Sequence, residues 1–187
     1  MNYKKLGKEE LIKLVEEKEE KINQLMRYAN NDELTDVLNR RAGISQLSRK
    51  LEEMKNMKKN LVVTFIDVDG LKYINDDFGH IEGDKLLKIV SNILKENIRK
   101  DDILFRYGGD EFIVAFCNID LEHAKKIIER VDEKILELYV NDTYKKNIRI
   151  SSGFSQVLGK DSVFIEELIK EADKAMYGNK IEHYEKI

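Results

Sequence analysis

Four acidic side chains in this sequence sit where they could do chemistry. Asp67 and Asp69 are two residues apart at the carboxyl end of an apolar, β-rich run, 61–66, that reads as a buried strand. Alternation along a strand puts both on one face, and charge at the end of an otherwise apolar strand is costly unless something pairs with it. Asp110 and Glu111 follow directly on Gly108-Gly109, in the middle of two further strand-like runs, 103–107 and 111–116. A hairpin laid beside the first strand would carry Asp110 towards Asp67. Converging carboxylates repel, and a divalent cation relieves the repulsion. All-oxygen donors without His or Cys favour Mg²⁺, with Mn²⁺ as an alternative, and such an ion keeps phosphate oxygens and waters as its other ligands. Taken alone, the same acids also read as solvated turn carboxylates. Gly108 and Gly109 have two readings as well: positive φ in a tight turn, or a backbone free to approach a phosphate.

The elements around these residues form one domain and a short extension. The chain has 187 residues, 42% hydrophobic and 37% charged, with a net charge of only −3, enough for one ordinary core. Mixed charge gives no basic groove for nucleic acid and no basic membrane surface. The apolar runs are too short to span a bilayer, and the Lys- and Glu-rich start has no apolar stretch of a secretory leader behind it. Cys117, the single cysteine, reads as a small buried apolar residue. With no disulfide possible within the chain, a cytoplasmic location is expected. Residues 1–31 are read as an N-terminal helix and 32–187 as the domain. Leu11, Val15, Ile22, Leu25 and Ala29 follow a heptad, with Lys18 the polar exception. Glu9–Lys13 and Glu17–Lys21 are helix-supporting pairs. The preferred reading is a coiled-coil seam and hence a homodimer; the alternative is an amphipathic helix folded onto its own domain.

Further helices are expected over 42–58, 71–78, 83–97, 121–140 and 164–177, a strand over 147–154 and a weak last strand over 180–186. Gly178 is expected to fray the closing helix. Gly108 and Gly109, between the cores of the hairpin strands, are expected to form a two-residue turn. Crossover helices combined with a hairpin predict a mixed central sheet flanked by helices. The fold class is α/β (α+β), a ferredoxin-like or nucleotidyl-cyclase palm.

The strings themselves carry a resemblance. Arg106-Tyr107-Gly108-Gly109-Asp110-Glu111-Phe112 resembles the signature of the GGDEF family, the diguanylate cyclases. The stretch from Asp32 to Arg41, which contains Leu34-Thr35 and Asn39-Arg40-Arg41, is similar to the family's opening D-x-L-T-x-x-x-N-R-R. The block from Phe65 to Asp76, followed by Phe78-Gly79-His80 and Gly83-Asp84, resembles its metal and guanine block, and Ala172 to Tyr177 with Lys180 its closing helix. The blocks stand in order at family-like spacing over residues 32–180.

The resemblance implies an enzyme that joins two GTP into cyclic di-GMP and pyrophosphate. By similarity, Asp67 and Asp110 bind Mg²⁺ with the carbonyl of Val68, and Glu111 contacts a second metal position or activates the attacking hydroxyl. Asn75 and Asp84 read the guanine, whose donors adenine lacks. Lys72 and Lys180 hold the terminal phosphates, and the backbone around Gly70 and Leu71 adds amide donors. Arg99 and Asp102 form the R-x-x-D product-inhibition site for cyclic di-GMP, with Arg130 as a second arginine. His80 reads as a turn or capping residue. His183-Tyr184 stands where many members carry a basic step, which implies one phosphate-binding cation fewer. The runner-up is a non-catalytic module that binds GTP or cyclic di-GMP.

Overall fold

The computed structural model describes residues 7–140, 148–159 and 163–184. Its centre is β1 (Leu61–Asp69), whose residues Leu61 to Ile66 are all buried. The period of two divides that strand between two layers. Val62, Ile66 and Val68 pack with α3 (Leu71–Phe78), α4 (His80–Asn97) and α5 (Leu121–Val140). Leu61, Val63 and Phe65 pack with α2 (Arg40–Met57) and α6 (Ile165–Tyr184). Asp67 and Asp69 continue the second set, so they end up on the α6 side.

Strands β2 (Ile103–Arg106), β3 (Glu111–Cys117) and β4 (Arg149–Val157) complete a sheet of order β2-β3-β1-β4. Every neighbouring pair is antiparallel, which corrects the expectation of a mixed sheet. The α3–α4 and α5 crossovers do join strands that run the same way. However, β3 lies between β1 and β2, and β1 lies between β3 and β4, so strands of like direction never touch. This is the ferredoxin-like order of a split βαβ unit.

The hairpin also differs from expectation. Arg106 pairs with Phe112, and the Tyr107 N–H donates to the Glu111 carbonyl at 2.8 Å. That leaves three residues, 108–110, in the loop rather than two. Neither Gly108 nor Gly109 has a left-handed backbone. At Gly108 the missing side chain serves another end, since a Cβ there would lie 2.1 Å from Glu111 Oε2. The glycines with positive φ are Gly70 (φ +86°), which turns the chain from β1 into α3, and Gly79 (φ +88°), between α3 and α4.

The closing helix runs on to Tyr184, so residues 180–184 are helical and not a strand, and Gly178 does not end it. Leu168, Ile169, Ala172 and Met176 set its buried face, and Lys180 falls one turn further along it. Residues 185 and 186 of the expected last strand, and the side chains of His183 and Tyr184, lie outside the described residues. Burial pushes the Cys117 thiol up to about 11, in line with an inert core residue.

Helix α1 (Lys8–Asn30) buries none of its residues. Leu11, Val15, Ile22 and Leu25 are 39%, 54%, 52% and 60% exposed, so the stripe is not laid against its own domain. Among the described residues no helix is long and apolar enough to cross a membrane.

Candidate active site

Pairing between β1 and β3 builds the acidic end of the sheet. Asp67 stands opposite Glu111, and the Val68 N–H donates to the Asp110 carbonyl at 3.0 Å. Asp67, Val68, Asp110 and Glu111 therefore adjoin, as the sequence predicts. Burial, then the charges of Asp110, Asp67 and Asp173, pushes the Glu111 carboxyl above its ordinary value, and Arg40 only partly opposes this.

Asp67 and Asp69 share a partner in Lys180. Its Nζ is 2.5 Å from Asp67 Oδ1 and 3.2 Å from Asp69 Oδ1. Burial alone would lower the lysine pKa, but the two carboxylates outweigh it and raise it. Asp69 Oδ2 accepts from Ser151 Oγ at 2.7 Å, while the buried Oδ1 has the ammonium nearby but accepts no aligned hydrogen bond. Thus the two lysines read as phosphate ligands part company: Lys180 sits on the β1 carboxylates and Lys72 lines a cleft on the other side of Asp110.

That cleft has a volume of about 440 Å³ and is lined by Leu71, Lys72, Asn75, Asp76, His80, Gly83, Asp84, Leu87, Arg106, Gly109 and Asp110. Six of the expected substrate and metal residues meet there: Leu71, Lys72, Asn75, Asp84, Gly109 and Asp110. Gly70 and Gly108 adjoin it in sequence without lining it. Gly79 caps α4 and His80 is its first residue, so His80 opens a helix and also faces the cleft. Asp76, Gly83, Leu87 and Arg106 carried no assigned role. Arg106 could have been flagged as a charge at the end of an apolar strand, the signal that singled out Asp67.

The donors at the acidic end suit a hard divalent cation. They are two carboxylates and a backbone carbonyl, crowded enough to raise Glu111, beside a polar cleft. Among the described residues no three acidic, His or Cys side chains already form a cage, and an ion that relies on one or two carboxylates plus substrate phosphates needs none.

Arg99, Asp102 and Arg130 stand apart, at the other end of β3. Asp102 Oδ2 accepts from the Arg99 N–H at 2.8 Å and Oδ1 from the Cys117 N–H at 2.9 Å. Arg99 is exposed. Arg130 Nε and Lys134 Nζ donate to Asn97 Oδ1 at 3.2 and 3.0 Å, so three cations gather near the end of α4.

The family model described as "Diguanylate cyclase, GGDEF domain" matches residues 29–186. The chain is 34% identical to the probable diguanylate cyclase DgcT and 33% identical to the diguanylate cyclase DosC, both of Escherichia coli K12, over 80% and 78% of its length. It is 31% identical over 84% of its length to the uncharacterized protein YtrP of Bacillus subtilis. It spans about a quarter to a third of the length of these curated relatives, at 26%, 33% and 32% for YtrP, DgcT and DosC. Among solved structures, the coiled coil and GGDEF domain of DgcB from Caulobacter crescentus, in complex with c-di-GMP, superposes with a TM-score of 0.80 at 25% identity, covering 90% of each chain. A microbial GGDEF domain bound to cyclic di-GMP does so with a TM-score of 0.74 at 27% identity, covering 84% of this chain and 94% of its own. On this sequence match and this fold, the chain belongs to the GGDEF family of diguanylate cyclase domains.

Proposed function

We propose that the protein condenses two GTP into cyclic di-GMP and pyrophosphate. The observation that carries this reading is the β1–β3 register, which holds Asp67, Asp110 and Glu111 together beside a cleft lined by Lys72, Asn75 and Asp84. In each half-reaction the 3′-oxygen of one GTP bonds to the α-phosphorus of the other. The bond from that phosphorus to the bridging oxygen breaks and pyrophosphate leaves. The hydroxyl proton passes to Glu111 or to water. A divalent cation held by Asp67, Asp110 and the Val68 carbonyl would neutralise charge on the phosphate and lower the pKa of the attacking hydroxyl. The chain's own groups orient the substrate: Asn75 and Asp84 take the guanine edge, and Lys72 the terminal phosphates. Lys180 would hold Asp67 and Asp69 until a phosphate competes for its charge.

One domain holds one GTP, so two must face each other. The exposed stripe of α1 supports a homodimer through a coiled coil, which would raise the effective concentration of the second half-site. The presence of a coiled coil beside the GGDEF domain in the DgcB neighbour supports the same reading. The test is GTP turnover with Mg²⁺ across protein concentrations. Cyclic di-GMP should form, with specific activity rising as dimer accumulates. Bound GTP with no product at any concentration would favour the binding module instead.

A Cβ at Gly83 would lie 2.0 Å from Asn75 Oδ1, so Gly83→Ala should displace the amide that reads guanine. We expect the preference for GTP over ATP to fall about tenfold, with little further loss when Asn75→Ala is added; an unchanged preference would remove Asn75 from the reader. At the far end of β3, Arg99→Ala should relieve inhibition by cyclic di-GMP, seen as a longer linear phase in progress curves with an unchanged melting temperature. Asp102→Ala should instead cost about 1–3 kcal/mol, because it strips the Cys117 N–H of its acceptor. A plateau unaltered by Arg99→Ala would dismiss the inhibitory site.

A further inference from the structure

Arg106 lies inside the turn motif, yet none of the roles above uses it. Its guanidinium joins two segments 74 residues apart. Nε and Nη2 donate to the Gly109 carbonyl at 3.1 and 2.6 Å, and Nη1 donates to Asp32 Oδ1 at 3.0 Å. The two side chains are only 15% and 24% exposed, so solvent screens the pair less than a surface one. Asp32 is itself held, because the same Oδ1 accepts from the Thr35 N–H at 3.0 Å and from Thr35 Oγ1 at 2.7 Å.

The consequence falls on Asp110. The Gly109 carbonyl belongs to the peptide that enters Asp110, and the Asp110 carbonyl to the peptide that leaves it. Arg106 holds the first, and the Val68 N–H holds the second at 3.0 Å. With both flanking peptides fixed, the direction in which the Asp110 carboxylate leaves the backbone is fixed too. Asp32 in turn belongs to the end of α1. Asn31 caps that helix, the Asn39 N–H donates to the Asn30 carbonyl at 2.7 Å, and Arg41 Nη2 donates to the Ala29 carbonyl at 2.9 Å.

We propose that Arg106 is a positioning residue for Asp110, that Asp32 holds it to that task, and that the pair thereby connects the end of α1 to the acidic end of the sheet. The kinetic part rests on the function proposed above. In the full chain, Asp32→Asn keeps shape and removes charge, while Arg106→Lys keeps charge but cannot reach Asp32 and Gly109 together. Each should lower kcat about tenfold through misplacement of the acid, with the KM for GTP changed by less than about threefold. The double variant should be no worse than the poorer single one, as for residues acting through one link. Amide hydrogen exchange gives a readout independent of turnover. The Val68, Tyr107 and Gly108 amides should exchange about tenfold faster in Asp32→Asn, with Val63 in the middle of β1 unchanged.

Should the wild type make no cyclic di-GMP, the proposed function fails, and faster exchange at Val68 would still support the link. A kcat within about twofold of wild type in both variants, losses that multiply in the double variant, or unaltered exchange at Val68 would each overturn it. If Arg106→Lys does not fold, Asp32→Asn alone decides by the same readings.

Discussion

Replacing Asp110 by alanine should reduce cyclic di-GMP formation by at least about 10³-fold and leave the fold intact. What the fold takes from Asp110 is its backbone, whose carbonyl accepts from Val68, and alanine supplies the same carbonyl. The carboxylate contributes charge. It is one of the neighbours that raise Glu111, so removing it relieves repulsion, and the variant should be as stable as the wild type near neutral pH. The sign reverses once a divalent cation is added. Mg²⁺ or Mn²⁺ should raise the melting temperature of the wild type, because it binds the folded state alone, and should do so much less for the variant. Asp110→Asn separates charge from shape, since the amide fills the same space but is a poor ligand for a hard cation. It should fail as badly as alanine. Activity near the wild-type level in either variant would remove Asp110 from the chemistry.

The acidic end was legible in the sequence because period-two alternation needs no tertiary information. Asp67 and Asp69 had to share a face, and a central strand ending in two carboxylates had to meet compensating charge. The source of that charge was not legible. It comes from Lys180, which sits on Asp67 and Asp69, whereas its string points only to a phosphate. The local pattern does not reveal how closely α6 approaches the sheet or that the helix continues past Gly178. The sheet was misjudged for a related reason. Element order identifies which connections are crossovers, whereas the position of β3 between β1 and β2 depends on long-range pairing. The hairpin lost a residue to register: apolar runs mark where strands lie, but the Tyr107 amide decides where pairing stops. Asp102 has a structural task that its string does not show. Its string points to a ligand, while its oxygens hold the backbone of Arg99 and of Cys117, a partner fifteen residues further along the chain.

The approach of α6 makes Gly153 the position where one added carbon should do most damage to the fold. Gly153 pairs with Phe65 of β1, and a Cβ there would lie 2.0 Å from Met176 N and 2.2 Å from the Ala172 carbonyl oxygen. Both obstacles are helix backbone, so neither can rotate away. To reach ordinary contact near 3.4 Å the helix must retreat by roughly 1.4 Å, which opens the packing of Leu168, Ala172 and Met176 against the sheet. Overpacking of this kind costs up to about 3 kcal/mol. Gly153→Ala returns up to about 1 kcal/mol by restricting the unfolded chain. A net loss of about 2 kcal/mol should lower the melting temperature by about 4–8 °C in a chain of this size. The same retreat carries Lys180, one turn beyond Met176, away from Asp67. The thermal loss should therefore come with a fall in the raised pKa of Lys180, read by NMR, while the cleft lined by Asn75 and Asp84, on the opposite face, keeps its nucleotide affinity in the folded fraction. A melting temperature within about 1 °C of wild type would mean that α6 has slack at this crossing, and that its register against the sheet, and with it the placement of Lys180, is set elsewhere.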